Sequence, residues 1–209
     1  MATVFSVHPK NPQPRTIEQI TEQLRRGAVM LYPTDTVYGI GCDIQSKSAI
    51  ERVRKIKQLS SDKPLTFLCS SLSNIALYAV VNDSNYRLMK SLIPGSYTFI
   101  LPTTKLVPKI VMNPKRKTTG IRVPNHPVCQ ALLESLGNPI ISTSANWQQD
   151  DVYPSYITKA ELFDYFDKMV DIIIDDDSEL GYQTSSIIDL SGSEPIVLRA
   201  GLGDVVFLE

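Results

Sequence analysis

The sequence predicts a mixed α/β domain organised on a sizeable sheet. Strand-length apolar runs and stretches of helical periodicity interleave along the chain, without strict βαβ repeats. A hydrophobic content of 43% over 209 residues is enough to build a real core. No internal repeat and no low-complexity linker divides it, so residues 1–209 are read as one domain.

Each element has a local reason. Residues 3–7 alternate and are rich in β-formers, and the Pro-rich stretch after them cannot continue a strand. Ile17, Ile20 and Leu24 recur at helical spacing, and Gly27 suits the position just past the end of that helix. Residues 28–32 are apolar with no helical stripe, and Pro33 ends them because it has no N–H to give a ladder. Ile50, Val53 and Ile56 predict a helix over 48–57 that turns Arg52, Arg54 and Lys55 away from the core. A strand over 65–69 is followed by a short helix over 71–80 and another over 84–92, capped by Ser84.

Pro94-Gly95 makes a turn before a strand at 97–101, and a loop rich in Pro and Lys then leads to a strand at 119–123. Pro127 in the first turn and Gly137 past the end bound the next helix, which feeds a strand at 140–143. Thr158 and Glu161 form a capping box for a helix running to Met169. A strand over 170–174 is cut off by Asp175, Asp176 and Asp177, and two β runs then flank a Ser-Gly-Ser-Glu turn.

The stretch most like a site is residues 33–41. Thr34, Asp35, Thr36 and Tyr38 crowd oxygen-bearing side chains together, while Gly39 and Gly41 allow a sharp turn or a close approach to a ligand.

Composition excludes several classes. A formal charge of -1, from 21 basic and 22 acidic residues, gives no global argument for nucleic acid. Cys42, Cys69 and Cys129 are too scattered for a disulfide framework or a zinc cage and read as reduced core thiols of a cytoplasmic protein. No apolar run suits a secretion signal or a membrane span. The two histidines, His8 and His126, have no nearby partner in sequence for acid–base work. Asp175 to Asp177 read as a solvated strand end, because no further ligand is spaced to complete a metal cage; no metal site is expected.

In chain order, YPTDTVYGIG from Tyr32, Lys57-Gln58, Lys63-Pro64-Leu65, PGSYTFIL from Pro94, Arg122-Val123-Pro124 with His126-Pro127, STSAN from Ser142, Ser185-Ser186-Ile187-Ile188 and VLRAG from Val197 form a series. It resembles the signature of the YrdC/Sua5/YciO family, the threonylcarbamoyl-AMP synthases and their relatives. HPKNPQPR near the start and GLGDV near the end are most similar to the YciO branch. The resemblance implies a twisted, mixed β-sheet flanked by helices and curved around a concave basic cavity. It also implies that threonine, bicarbonate and ATP are joined into threonylcarbamoyl-AMP with release of pyrophosphate, for transfer to adenosine in tRNA. ATP would enter as its Mg²⁺ complex, and no tightly bound cofactor is expected. Two alternatives keep the same cavity: a YciO-type paralogue with little synthase activity that binds RNA, and one that removes the threonylcarbamoyl group from tRNA.

Carried onto this chain, the resemblance assigns Lys57, Lys63, Thr118, Ser144, Asn146 and Arg199 to the nucleotide, and Thr36, Arg122 and Ser185 to threonine. Arg122 would grip the threonine carboxylate through paired hydrogen bonds. No residue is assigned a catalytic role, because such chemistry needs anions held in register, a leaving pyrophosphate neutralised and water kept away. The chain departs from the family at Leu59, where synthases carry the arginine of Lys-x-Arg, and at Leu68, where many relatives carry a histidine. Loss of that arginine would cost about 2 to 4 kcal/mol of transition-state stabilisation.

On the residues alone, duller roles stand beside these. Thr34 and Ser142 fit caps or turns as well as ligands. Lys63 suits a solvated loop, and Arg122, flanked by apolar neighbours, requires either an anionic ligand or a carboxylate of the protein itself. Trp147 suits a stacking role on a base or a lid over the core. Two basic clusters, Lys105, Lys109, Lys115, Arg116 and Lys117, and Arg52, Arg54, Lys55 and Lys57, fit either a solvent face or an interface for tRNA or double-stranded RNA. Within them Arg54, Lys55, Lys115, Arg116 and Lys117 are the candidate RNA contacts.

Overall fold

The computed structural model describes residues 1–60, 63–145 and 157–208. The strands are β1 (Thr3–Ser6), β2 (Met30–Tyr32), β3 (Gly39–Asp43), β4 (Thr66–Leu68), β5 (Tyr97–Pro102), β6 (Thr118–Arg122), β7 (Ile140–Ser144), β8 (Ile172–Asp175), β9 (Ser186–Asp189) and β10 (Ile196–Arg199). The helices are α1 (Pro14–Arg25), α2 (Lys47–Ile56), α3 (Leu72–Tyr78), α4 (Asp83–Leu92), α5 (Pro127–Leu136) and α6 (Lys159–Phe166). All of these strands join one mixed sheet in the order β1-β8-β2-β3-β7-β4-β6-β5-β9-β10.

The two faces of this sheet are covered unequally. Because side chains alternate along a strand, Leu31, Ile40, Cys42, Phe67, Phe99, Ile121, Ile141, Ile173 and Ile188 share one face. They form one core with Ile50 and Val53 of α2, Ile75 of α3, Met89 of α4 and Leu162 and Phe166 of α6. On the other face, α1 and α5 pack together over Met30, Tyr32, Leu68, Ile140, Ile172 and Ile174. Those two helices reach only that far. The rest of the face carries Thr66, Thr98, Gly120, Arg122, Ser142 and Ser144 beside Ile100 and Ile187, and it forms the floor of a cavity.

Local signals explain the ends of the elements. Gly27 at φ 93 and Gly137 at φ 74 close α1 and α5 in the left-handed conformation, and Thr158 and Glu161 form the capping box of α6. The helix expected over 84–92 begins one residue earlier, because the Asn82 side chain, not Ser84, accepts the Asn85 N–H at 2.8 Å. α6 stops at Phe166, short of Met169.

Gly39 and Gly41 do not make a turn. Both lie in β3, where the missing Cβ atoms admit the ring of Tyr32 and, at Gly41, the Ile141 carbonyl.

Candidate nucleotide and amino-acid site

The cavity has a volume of about 670 Å³. Sheet residues make its floor, the end of α2 and the Lys63 loop make one rim, and Tyr165 and Phe166 of α6 and Arg199 of β10 make others. Lys57, Lys63, Arg122 and Arg199 line it, and among the described lining residues there is no carboxylate. Hydroxyls surround these cations: Thr34, Thr36, Ser142, Thr143, Ser144, Thr184 and Ser185. Such a lining favours anions with several oxygens.

Arg122 is held through all three of its guanidinium nitrogens. Its Nη2 donates to Asp35 Oδ1 at 2.6 Å, Nη1 to Thr36 Oγ1 at 2.8 Å and Nε to the Gly95 carbonyl at 3.3 Å. The choice that the sequence left open therefore resolves in favour of an internal carboxylate, Asp35, yet Arg122 still lines the cavity. Those three bonds leave N–H groups on both terminal nitrogens, in a fork whose orientation is already fixed. Ser185 Oγ lies 2.8 Å from Thr98 Oγ1, and the Ser185 carbonyl accepts from Arg199 Nε and Nη2 at 3.1 and 2.9 Å. Thr36, Arg122, Ser185 and Arg199 are thus brought to one site.

Of the residues assigned to a nucleotide, Lys57, Lys63, Ser144 and Arg199 reach the cavity. Thr118 does not. It is buried at the start of β6, four residues before Arg122, and lies outside the lining. Asn146 lies outside the described residues, as does Trp147. Leu59 and Leu68 both line the cavity, so the two departures put apolar side chains on its wall. Beneath the floor, Tyr32 donates to Ser142 Oγ at 2.6 Å, and burial pushes its phenol pKa well up.

Residues 22–201 match the Sua5/YciO/YrdC family model, which is described as Telomere recombination. This chain belongs to the YrdC/Sua5/YciO family. The YciO protein of Escherichia coli K12 is 44% identical over 205 residues, 98% of each chain. The crystal structure of E. coli YciO superposes with a TM-score of 0.93 at 42% identity, covering both chains fully. A threonylcarbamoyl-AMP synthase of Pseudoalteromonas translucida is 31% identical over 179 residues, covering 83% of this chain and 92% of the synthase. The P. abyssi Sua5 structure in complex with L-threonine superposes with a TM-score of 0.85 at 26% identity, over 96% of this chain and 58% of that one.

This YrdC-family chain spends some of its basic side chains internally. Arg54 donates to the carbonyls of Ser60, Lys63 and Ile110, tying the end of α2 to two loops. Arg116 pairs with Asp189 at 2.7 Å and donates to Ser191 Oγ at 2.9 Å. Neither guanidinium is the simple solvent cation that an RNA contact was expected to use. Lys55, Lys115 and Lys117 are exposed, as are Lys105 and Lys109.

Sequence reasoning missed one pair in this family member. Asp176 is fully buried, not a solvated strand end, and its Oδ2 lies 3.2 Å from Nε2 of His126, which has no partner nearby in sequence. The signal is long-range, since His126 opens α5 and Asp176 follows β8. Asp175 pairs with Lys159 at 2.9 Å instead of solvating a strand end alone. Among the described residues no His, Cys, Asp and Glu group could hold a metal, and no helix is long and apolar enough to cross a membrane. The three cysteines are buried and free, and burial pushes their thiols up, away from reactivity.

Proposed function

We propose that the cavity binds L-threonine and an adenine nucleotide, and that the protein makes threonylcarbamoyl-AMP at a rate limited by Leu59. The observation that carries this is the convergence of Arg122, Thr36 and Ser185 with Lys57, Lys63, Ser144 and Arg199 in one hollow free of carboxylates among its described lining residues. Threonine, bicarbonate and ATP are all anionic at the points to be held, so a cationic, hydroxyl-rich wall suits all three. Mg²⁺ would arrive on the phosphates of ATP as part of the substrate.

In this reading the free N–H groups of Arg122 hold the threonine carboxylate, with Thr36 and Ser185 beside it. The threonine amine attacks bicarbonate to give the N-carboxylate and water. An oxygen of that carbamate then attacks the α-phosphorus and pyrophosphate leaves toward Lys57 and Lys63, whose charge offsets what develops on it. The relatives named as synthases and the threonine complex of P. abyssi Sua5 support this assignment. The product would serve tRNA modification in the cytoplasm.

Incubation with ATP, Mg²⁺, bicarbonate and labelled threonine tests it, scoring threonylcarbamoyl-AMP and pyrophosphate beside Leu59→Arg and Lys57→Ala variants. The expected result is slow synthesis in the wild type, about 30-fold or more faster in Leu59→Arg, and none in Lys57→Ala. Unchanged turnover in Lys57→Ala sinks the site assignment. Silence from both wild type and Leu59→Arg favours the alternatives, removal of threonylcarbamoyl from tRNA or RNA binding without synthesis.

The exposed lysines favour RNA as a second ligand. Lys105, Lys109, Lys115 and Lys117 fall within a short stretch, and a tRNA or double-stranded RNA backbone would be met by such a surface.

A further inference from the structure

Asp176 follows β8 directly, and its carboxylate is held on both oxygens. Oδ1 accepts the Ser178 backbone N–H at 3.2 Å and the Ser178 hydroxyl at 2.6 Å. Oδ2 stands 3.2 Å from His126 Nε2, an ion-pair distance at an angle poor for a hydrogen bond. Asp177 then adopts the left-handed conformation, φ 59, and the chain turns sharply out of the strand. Residues 177–185 have no helix or strand of their own. They nevertheless press on the candidate site: a Cβ on Gly181 would overlap the Thr36 carbonyl, and Ser185 reaches Thr98.

His126 sits on the other side of this arrangement. It is the N-cap residue of α5, four residues beyond Arg122 on the same connection. The His126–Asp176 contact therefore ties the connection that carries Arg122 to the segment that carries Ser185. His126 does not line the cavity; it lines a separate hollow of about 530 Å³.

We infer that His126 is a positioning residue for the amino-acid end of the cavity, clamping residues 177–185 down through Asp176 so that Thr36 and Ser185 keep their places opposite Arg122. The inference rests on the proposed threonine site and adds to it a residue that touches no substrate. A tie is needed because the segment lacks a ladder of its own, and a buried carboxylate deprived of the His126 contact would keep only the Ser178 bonds. Small displacements here matter, since a carboxylate grip depends on paired geometry.

The test compares wild type with His126→Leu, His126→Gln and Asp176→Asn. Amide hydrogen exchange is followed over residues 33–38 and 177–185, alongside titration with L-threonine, titration with ATP and global unfolding. His126→Leu should speed exchange in both segments and weaken threonine binding roughly tenfold or more, with ATP affinity kept. Asp176→Asn should do the same in milder form. His126→Gln, whose amide N–H reaches toward the position of Nε2, should restore part of the loss. Unchanged exchange in His126→Leu overturns the clamp, and so does threonine and ATP affinity falling together with global stability. A wild type that takes no threonine overturns the functional reading and with it the role of the clamp, while exchange still reports whether the tie exists.

Discussion

Tyr32 occupies the space that Cβ atoms on Gly39 and Gly41 would fill. A Cβ on Gly41 would stand 2.8 Å from Tyr32 Cε1 and 2.7 Å from the Ile141 carbonyl oxygen. The carbonyl belongs to the neighbouring strand β7 and cannot swing away as a flexible side chain would. Gly41→Ala should therefore destabilise the protein by about 2 to 3 kcal/mol, as overpacking does in a close-packed core. Urea unfolding measures it; a midpoint equal to wild type would refute the crowding.

Arg122 and Asp35 should separate stability from binding. Both side chains are largely buried, so Arg122→Ala leaves a carboxylate without its partner, at a cost of about 3 kcal/mol or more. The double variant Arg122→Ala with Asp35→Ala removes the orphan charge and should recover part of that stability. It should not recover threonine binding, because the guanidinium is gone. Denaturation and calorimetry on the same two variants read these effects. Threonine binding unchanged in Arg122→Ala would remove Arg122 from the site.

Much of this is legible in the residues. Strand and helix assignments rest on local periodicity and caps, and Gly27, Gly137 and the Thr158–Glu161 box behave as local chemistry dictates. Part of the cavity lining is legible as well, because Arg122 interrupts an apolar strand run and reaches the cavity. What escapes is pairing across the fold. Asp35 stands 87 positions from Arg122, and Asp176 is distant in sequence from His126. Gly39 and Gly41 mislead because a glycine that admits a ring looks, in sequence, like one that admits a turn. The internal acceptors of Arg54 and Arg116 escape as well, because a charge cluster does not show which members already have partners.

Asp176 contributes stability that acid removes. Burial alone would raise its pKa, but His126 and the two Ser178 donors outweigh that and lower it from 3.8 to about 2. A carboxylate whose folded pKa lies below its unfolded value adds stability that is fully present above about pH 4 and is lost as pH falls through about 2. Asp176→Asn should flatten that part of the stability curve. Unfolding measured from pH 5 to pH 2 in wild type and variant checks this, and parallel curves would count against it.

Lysines and arginines of the basic stretch should differ in kind. Lys115 and Lys117 are exposed, so Lys115→Gln with Lys117→Gln should leave the fold intact. If RNA lies along this surface, that variant should bind RNA more weakly and reduce the slope of log affinity against log salt by roughly 1.5 to 2, one increment for each phosphate that is no longer neutralised. Arg116 is engaged with Asp189 and Ser191, at a site more than half exposed on the arginine side. Arg116→Ala leaves the buried Asp189 carboxylate only its Ser191 bonds, so it should cost about 1 to 3 kcal/mol of stability and change the salt slope by less than half as much as the double lysine variant does. Fluorescence titrations of a tRNA stem-loop at several salt concentrations distinguish the cases. A loss of slope in Arg116→Ala that is half that of the double lysine variant would mean that Arg116 leaves Asp189 to meet a phosphate, and no loss in either variant would remove this stretch from the RNA interface.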